Sequence, residues 1–237
     1  ALNAFYANID IGHVEAGLRT FNLSSPYPEE GNRQLVSRIA NYNWAPTKIA
    51  FNNLKNEGVS NIFLTGNTIV DACNSYNYKI TYENKILITL HRRENFGDRI
   101  IKIFNELNQL AVIHNDLQFI FPMHPNPNIQ KHKKILKNIK IIKPLQYPDL
   151  LNLLSKVKFV ISDSGGIQEE CASFQKKILV CRDNTERPEG ISAGFAKIIG
   201  TELIQNFNWA NDDPEWNGQN PYGKGDAAKK IIECLKV

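Results

Sequence analysis

Residues 162–170 read SDSGGIQEE and follow directly on the apolar run 157–161. A strand that leaves through a serine and two glycines, then opens a helix, presents the unpaired N–H groups of a first helical turn. Glycines at 165 and 166 let a ligand approach the backbone, and the helix dipole favours an anion there, so a phosphate is the natural guest at Ser164, Gly165 and Gly166. Glu170 is placed to accept from ribose hydroxyls; alternatively, Glu169 and Glu170 only complement the dipole. The segment TERPEG, 185–190, adds Arg187, suited to a phosphate, to Glu170, or to a local ion-pair group with Arg182, Asp183 and Glu186.

Other apolar runs end in the same manner. LHRRENFG, 90–97, crowds His91, Arg92, Arg93 and Glu94 behind a strand. There His91 can protonate or hydrogen-bond a pyrophosphate and the arginines can hold anions, a buried structural histidine being the plainer reading. GHVEAGLRT, 12–20, carries His13, Glu15 and Arg19, the last two also suited to a simple pair. SPYPEEGNR, 25–33, sets Pro28 at a first helical position with Glu29 and Glu30 behind it, which is equally ordinary helix-start chemistry. FPMHPNP, 121–127, holds His124 between prolines. Five strand ends bearing His, Arg, Glu or Gly are what one cleft between two α/β layers would gather. Carboxylates facing an anion site point to acid–base chemistry on a phosphate-bearing molecule.

The elements that must hold these residues alternate along the chain. The pattern predicts helix running into strand over 5–14 and a helix over 28–43 with Leu35, Val36, Ile39 and Ala40 on one face. Strands follow at 61–64 and 85–90, then a helix at 99–114 with Ile100, Ile103, Phe104, Leu107 and Leu110 at helical spacing. Further strands fall at 118–122, 139–142, 157–161 and 177–181, and helices at 147–155 and 167–174. Such alternation means α/β with parallel sheets. The pattern lapses over 66–84 and again over 206–225, where Asn, Asp, Pro, Gly and Trp concentrate before a last helix.

Composition narrows the partners. A net charge of +4 on 237 residues suits an anionic ligand without demanding nucleic acid or a membrane. The basic run 131–134 lacks interleaved aromatics and reads as a solvated helix face. The four cysteines, Cys73, Cys171, Cys181 and Cys234, have no metal-ligand spacing and apolar neighbours, which favours reduced core residues, no metal and a cytoplasmic address. No run approaches 18 apolar residues. GKGDAA, 223–228, matches a dinucleotide fingerprint in letters only: it follows QNPY, not a strand, and reads as a helix start. No nicotinamide, flavin or P-loop signature is present, so no cofactor is expected.

Taken in order, GHVEAGLRT, SPYPEEGNR, APT, TGNTIVDA, HRRENFG, SDSGGIQEE, RDNTERPEG, AGFAKIIGT and NPYGKGDAA resemble the non-hydrolysing UDP-N-acetylglucosamine 2-epimerases across essentially the whole chain. The resemblance implies two Rossmann-like domains of the glycosyltransferase-B type with UDP-sugar in the cleft between them. It places the end of the first domain at 1–68 and the second, UDP-binding domain at 69–225, with a final helix, 226–237, crossing back to the first. By position it assigns the diphosphate to Ser164, Gly165 and Gly166, the ribose to Glu170, and the phosphates to His91 with Arg187 nearby. Glu15, Glu29 and His91 become the catalytic set, and Glu29, Arg92 and His124 match contacts to a second, activating UDP-sugar. A homodimer and a role in surface polysaccharide synthesis are also implied.

The chemistry fits the residues. The hydrogen at C2 of the sugar is not beside a carbonyl, so an enzyme must either oxidise a neighbouring carbon with a nicotinamide or expel UDP first. The resemblance implies the second route: UDP leaves as C2 loses its proton, and re-addition to the 2-acetamidoglucal gives UDP-N-acetylmannosamine. Ala1 stands just after where the family's Gly-Asp-Thr turn belongs, so the first domain is expected to be incomplete in this chain. A UDP-binding remnant without turnover, or an epimerase of a related UDP-sugar, is the alternative expectation.

Overall fold

The computed structural model describes residues 1–235. The chain divides into two compact units: Ala1–Ser75 joined by the stretch from Asn220 onward, and Tyr76–Gln219. The division thus falls after Ser75 and before Asn220, not at 68 and 225.

In the first unit, α1 (Leu2–Tyr6), β1 (Gly12–Val14), α2 (Glu29–Ile39), β2 (Tyr42–Ala45), α3 (Lys48–Asn56), β3 (Ile62–Leu64) and α4 (Thr68–Asn74) follow in sequence. The three strands pair in parallel in the order β1-β2-β3, with His13 beside Asn43 and Trp44 beside Phe63. Ala16, Leu18, Ala45, Ala50 and Leu54 form its buried cluster. The helix expected over 28–43 ends at Ile39, because Ala40 turns to extended backbone and β2 begins two residues later. Its expected apolar face is also wrong: Leu35 is exposed, whereas Glu30 and Ser37 are buried.

The second unit contains β4 (Glu83–Thr89), α5 (Asp98–Ile113), β5 (Gln118–Pro122), α6 (Pro127–Gln130), β6 (Lys140–Ile142), α7 (Tyr147–Lys156) and β7 (Val157–Ser162). After these come α8 (Gly165–Ser173), β8 (Ile178–Val180), α9 (Pro188–Ser192), β9 (Ala196–Ile198) and α10 (Leu203–Asn211). Six parallel strands pair in the order β6-β5-β4-β7-β8-β9, so the chain order reverses direction between β4 and β7. The sheet core joins Ile86, Ile88, Phe119, Phe121, Phe159 and Ile161 to Phe104 and Leu107 of α5 and to Phe207 of α10. All five α5 residues picked out by helical spacing are buried. The zone read as irregular from 206 onward begins inside α10, where Phe207 and Ala210 bury against the sheet at a spacing too short for periodicity to reveal.

The last helix, α11 (Ala227–Cys234), belongs to the first unit. Of the expected span 226–237, residues 236 and 237 lie outside the described residues. Asp71 of α4 accepts from the backbone N–H of Ala227 (3.1 Å) and Ala228 (3.0 Å), capping α11 from another helix. Beside this cap Asn67 N–H donates to Tyr222 carbonyl at 2.8 Å, and a Cβ on Gly223 (φ +125°) would come 3.3 Å from Gly66 Cα. Gly223 of the false dinucleotide motif therefore serves a backbone–backbone approach, whereas Gly225 leaves room for the Asn74 side chain. No helix among the described residues is long and apolar enough to cross a membrane.

Loss of this cap is expected to cost stability alone. Asp71→Ala should lower the unfolding free energy by about 1–2 kcal/mol, read from urea denaturation by circular dichroism, with the second unit's near-ultraviolet spectrum unchanged.

Candidate functional site

The β4–β7 pairing ends at Thr89 beside Ser162, and there the two chains are knitted together. The hydroxyls of Thr89 and Ser162 lie 2.6 Å apart, and Ser162 Oγ accepts from Ser164 N–H at 2.9 Å. Asp163 N–H donates to Thr89 carbonyl, and Cys181 N–H to Ser162 carbonyl. The turn is thus fixed from three strands before α8 begins. Ser164 stands at the N-cap of α8 with extended backbone and makes no side-chain cap bond. The first-turn N–H groups of the nine-residue α8 therefore lack a side-chain cap, the arrangement that receives anions.

The two glycines have different reasons. A Cβ on Gly165 would come 2.7 Å from Arg187 Cζ, whereas one on Gly166 meets nothing within 4 Å. Gly165 is small because a guanidinium packs over it; Gly166 leaves open space. Arg187 itself is buried, donating to Glu169 at 2.7 Å and to Glu186. Of the protein partners considered for it, Glu186 is present and Glu170 is not, the second carboxylate being Glu169. Arg182, fully buried, pairs with Glu186 at 2.9 Å and with Glu94 at 2.7 Å, while Asp183 turns to Arg99 at 2.9 Å. The local ion-pair group foreseen in this segment exists, minus Asp183 and with two more glutamates.

A cavity of about 210 Å³ opens beside this turn, lined by His91, His124, Pro122, Pro144, Leu145 and Ser164 among others. His91 and His124 stack with ring centroids 5.8 Å apart. Asn126 N–H donates to His124 Nδ1 at 3.1 Å, so that imidazole carries its proton on Nε2. Burial, reinforced by Arg92 and His124, holds His91 below its ordinary pKa despite the opposing pull of Asp163. Arg92, half-buried, gives its backbone N–H to Asp163 at 2.9 Å. Glu170 is buried on the inner side of α8, and burial pushes its pKa up to about 7, with a Tyr147 hydrogen bond pulling the other way.

In the first unit Glu15 follows β1 at φ +59°, a left-handed conformation that costs a non-glycine residue roughly 1 kcal/mol or more. Neighbouring Ala16 and Gly17 are buried, and Gly17 (φ +89°) could not carry a Cβ without meeting the Ala50 carbonyl group. Arg19 does not pair with Glu15. It is buried and bidentate to Glu57 at 2.8 and 2.9 Å, with Ser37 on its other edge. At the start of α2 the twin glutamates separate. Glu30 is fully buried and accepts from Thr20 N–H, Phe21 N–H and Gln34, which makes it structural; Glu29 is half-buried. Burial and the nearby Arg19 hold His13 at a pKa of about 4.

Sequence reading missed Asp163, which receives the His91 and Arg92 backbone and the Asn95 side chain; its position inside SDSGG was the one available signal. It also missed Tyr147 against Glu170. No group of three or more metal-ligating side chains occurs among the described residues.

A parallel α/β unit thus brings an uncapped helix start, two histidines and a buried glutamate to the strands' carboxyl edge, the place where open α/β sheets take ligands. The family model described as UDP-N-acetylglucosamine 2-epimerase matches residues 1–236. The chain is 42% identical to the UDP-N-acetylglucosamine 2-epimerase of Campylobacter jejuni over 270 residues, covering 99% of this chain and 70% of that protein. A crystal structure of UDP-GlcNAc 2-epimerase from Neisseria meningitidis bound to UDP-GlcNAc superposes at a TM-score of 0.91 with 39% identity, over 99% of this chain and 72% of the other. The Methanocaldococcus jannaschii UDP-GlcNAc 2-epimerase, in complex with UDP-GlcNAc and UDP, gives 0.84 with 34% identity, over 99% and 71%. The chain belongs to the UDP-N-acetylglucosamine 2-epimerase family.

The contrast between the glycines is directly testable. Gly165→Ala should destabilise by about 1–3 kcal/mol through displacement of Arg187. Gly166→Ala should be neutral or stabilise by up to about 1 kcal/mol, both measured by thermal unfolding.

Proposed function

We propose that this protein interconverts UDP-N-acetylglucosamine and UDP-N-acetylmannosamine by eliminating and re-adding UDP, with inversion at C2. The observation that carries the reading is family membership over residues 1–236, together with the anion-ready start of α8 beside the histidine-lined cavity. The diphosphate is assigned to Ser164 and the N–H groups of Gly165 and Gly166, with Arg187, its guanidinium held by Glu169 and Glu186, close beneath the turn. Donors already fixed in place stabilise the departing pyrophosphate without reorganising. His91 meets the phosphates, and Glu170 accepts from the ribose hydroxyls. The apolar cavity wall at Pro122, Pro144 and Leu145 suits a flat base.

Glu15 and Glu29 are assigned the proton transfers at C2. A half-buried carboxylate at a strained backbone position is an ordinary place for such work. Glu29, Arg92 and His124 are proposed to contact a second, activating UDP-sugar. The two units are read as Rossmann-like domains of the glycosyltransferase-B type, and the working form as a homodimer. Four cysteines outside any disulfide suit a reducing, cytoplasmic compartment.

Proton NMR of UDP-N-acetylglucosamine in deuterated water should show the C2 proton signal disappearing as UDP-N-acetylmannosamine accumulates. An unchanged spectrum from folded protein would defeat the reading. Glu15→Gln and Glu29→Gln should each lower kcat by about 10²- to 10⁴-fold, with UDP affinity within about threefold of the unsubstituted protein.

Glu170 gives a pH signature. Hydroxyl donors prefer a carboxylate to a carboxylic acid, and Glu170 is ionised in the free protein only above about pH 7. UDP affinity should therefore fall about tenfold between pH 8 and pH 6, beyond the loss that Glu170→Gln shows over the same range by calorimetry.

A further inference from the structure

The carboxylate of Asp163 is fully buried at the junction of three strands, and its ligands come from a single loop. His91 N–H donates to both of its oxygens at 3.1 Å, Arg92 N–H to Oδ2 at 2.9 Å, and Asn95 Nδ2 to Oδ2 at 2.9 Å. Asn95, also fully buried, donates as well to the Cys181 carbonyl at 2.9 Å, tying the loop to the end of β8. A buried carboxylate with three N–H donors is a rigid anchor, because losing any one of them leaves charge uncompensated. The His91 ring lies over the same carboxylate, with Nδ1 3.7 Å from Oδ1.

That geometry distinguishes the two imidazole nitrogens. Nδ1 faces an anion that cannot move away, so the nitrogen on that edge should carry the proton. The opposite nitrogen, Nε2, is then an acceptor on the edge left for the cavity, which His91 shares with His124 and Ser164. A free neutral imidazole prefers the other arrangement, with its proton on Nε2. His124, whose Nδ1 accepts from Asn126, follows that ordinary preference. The two stacked rings would thus present opposite faces to a ligand: one an acceptor, its neighbour a donor.

We infer that Asp163 is a positioning residue, which pins the His91–Arg92 backbone and fixes His91 as its Nδ1–H tautomer with Nε2 directed to the ligand. The consequence for the reaction rests on the reading of His91 proposed above: Nε2 takes a proton from solvent as the anionic pyrophosphate arrives, and the resulting imidazolium donates that N–H to a phosphate oxygen while Asp163 balances its charge. Asp163 itself touches no substrate and acts through the imidazole, as carboxylates behind histidines do elsewhere.

Long-range ¹H–¹⁵N spectra of histidine-labelled protein near pH 7.5, with His91→Gln identifying the resonances, test this without any ligand. The expected result is a predominantly Nδ1–H His91 in the unsubstituted protein; a predominantly Nε2–H ring overturns the inference. Asp163→Asn should move the ring toward Nε2–H and weaken UDP about tenfold; a folded Asp163→Asn with an unchanged tautomer also overturns it. Asn95→Ala removes a donor but keeps the charge. It should lower the melting temperature and leave the tautomer as it was, and a switched tautomer in that folded variant would assign the orientation to the loop instead. Because the tautomer is read in the free protein, failure of UDP to bind would count against the proposed function and leave this result standing.

Discussion

Every strand of the six-stranded sheet runs in the same direction, and that constraint decides where chemistry can sit. Parallel strands need a return connection each time, so each carboxyl end is followed by a turn and most of those turns deliver a helix. The carboxyl ends of β4 and β7 are neighbours because strand order reverses there, and a crevice opens where successive connections leave in opposite directions. The cavity, the uncapped start of α8 and the two histidines all lie at that edge. None needs a special fold; each needs the sheet to stay in register. The Thr89–Ser162 contact closes that register at its last pair.

Beneath the turn lies an unusual concentration of buried charge: Arg182 and Arg187 with Glu169 and Glu186, and Glu94 at the margin. Burying ions is unfavourable in itself, and apolar substitutes of the same shape often stabilise a protein more. What such a network supplies is definition. Arg187 has one resting place, over Gly165, because two carboxylates hold its two edges. The start of α8 is therefore ordered in advance, and in the proposed reading less ordering is left to complete when a ligand binds there.

Much of this was legible because strands announce their ends. An apolar run that stops at SDSGG or LHRREN marks both the strand and the residues it delivers, and local spacing sufficed for α5, whereas α8 begins at Gly165, two residues before the apolar spacing put it. What could not be read was pairing over distance. Arg19 beside Glu15 looked like a pair, yet its partner is Glu57, 38 residues away. Asp163 drew no notice, because its donors lie 68 to 72 residues upstream. Glu29 and Glu30 are indistinguishable by helix-start rules; only the fold buries one against the Thr20–Phe21 backbone. The face of α2 failed for a related reason: Leu35 is exposed while Ser37 is buried beneath Arg19, so polarity there tracks a hydrogen-bond network, not an apolar stripe.

The return of α11 to the first unit has a consequence for how the chain is made. Residues 1–75 leave the ribosome before 76–219, but α11, which Asp71 of α4 caps, lies in the segment that starts only at Asn220. At bacterial-to-eukaryotic elongation rates the interval is on the order of ten seconds. During that time Tyr76–Gln219 can complete its own sheet, while Asp71 and Gly66 wait for partners still in the tunnel or not yet decoded. The second unit is therefore the one able to mature during synthesis. The unit that holds residues 1–75 is completed only after residue 220 has emerged, and a nascent chain stalled before that point would expose an unfinished surface to the cell's quality control.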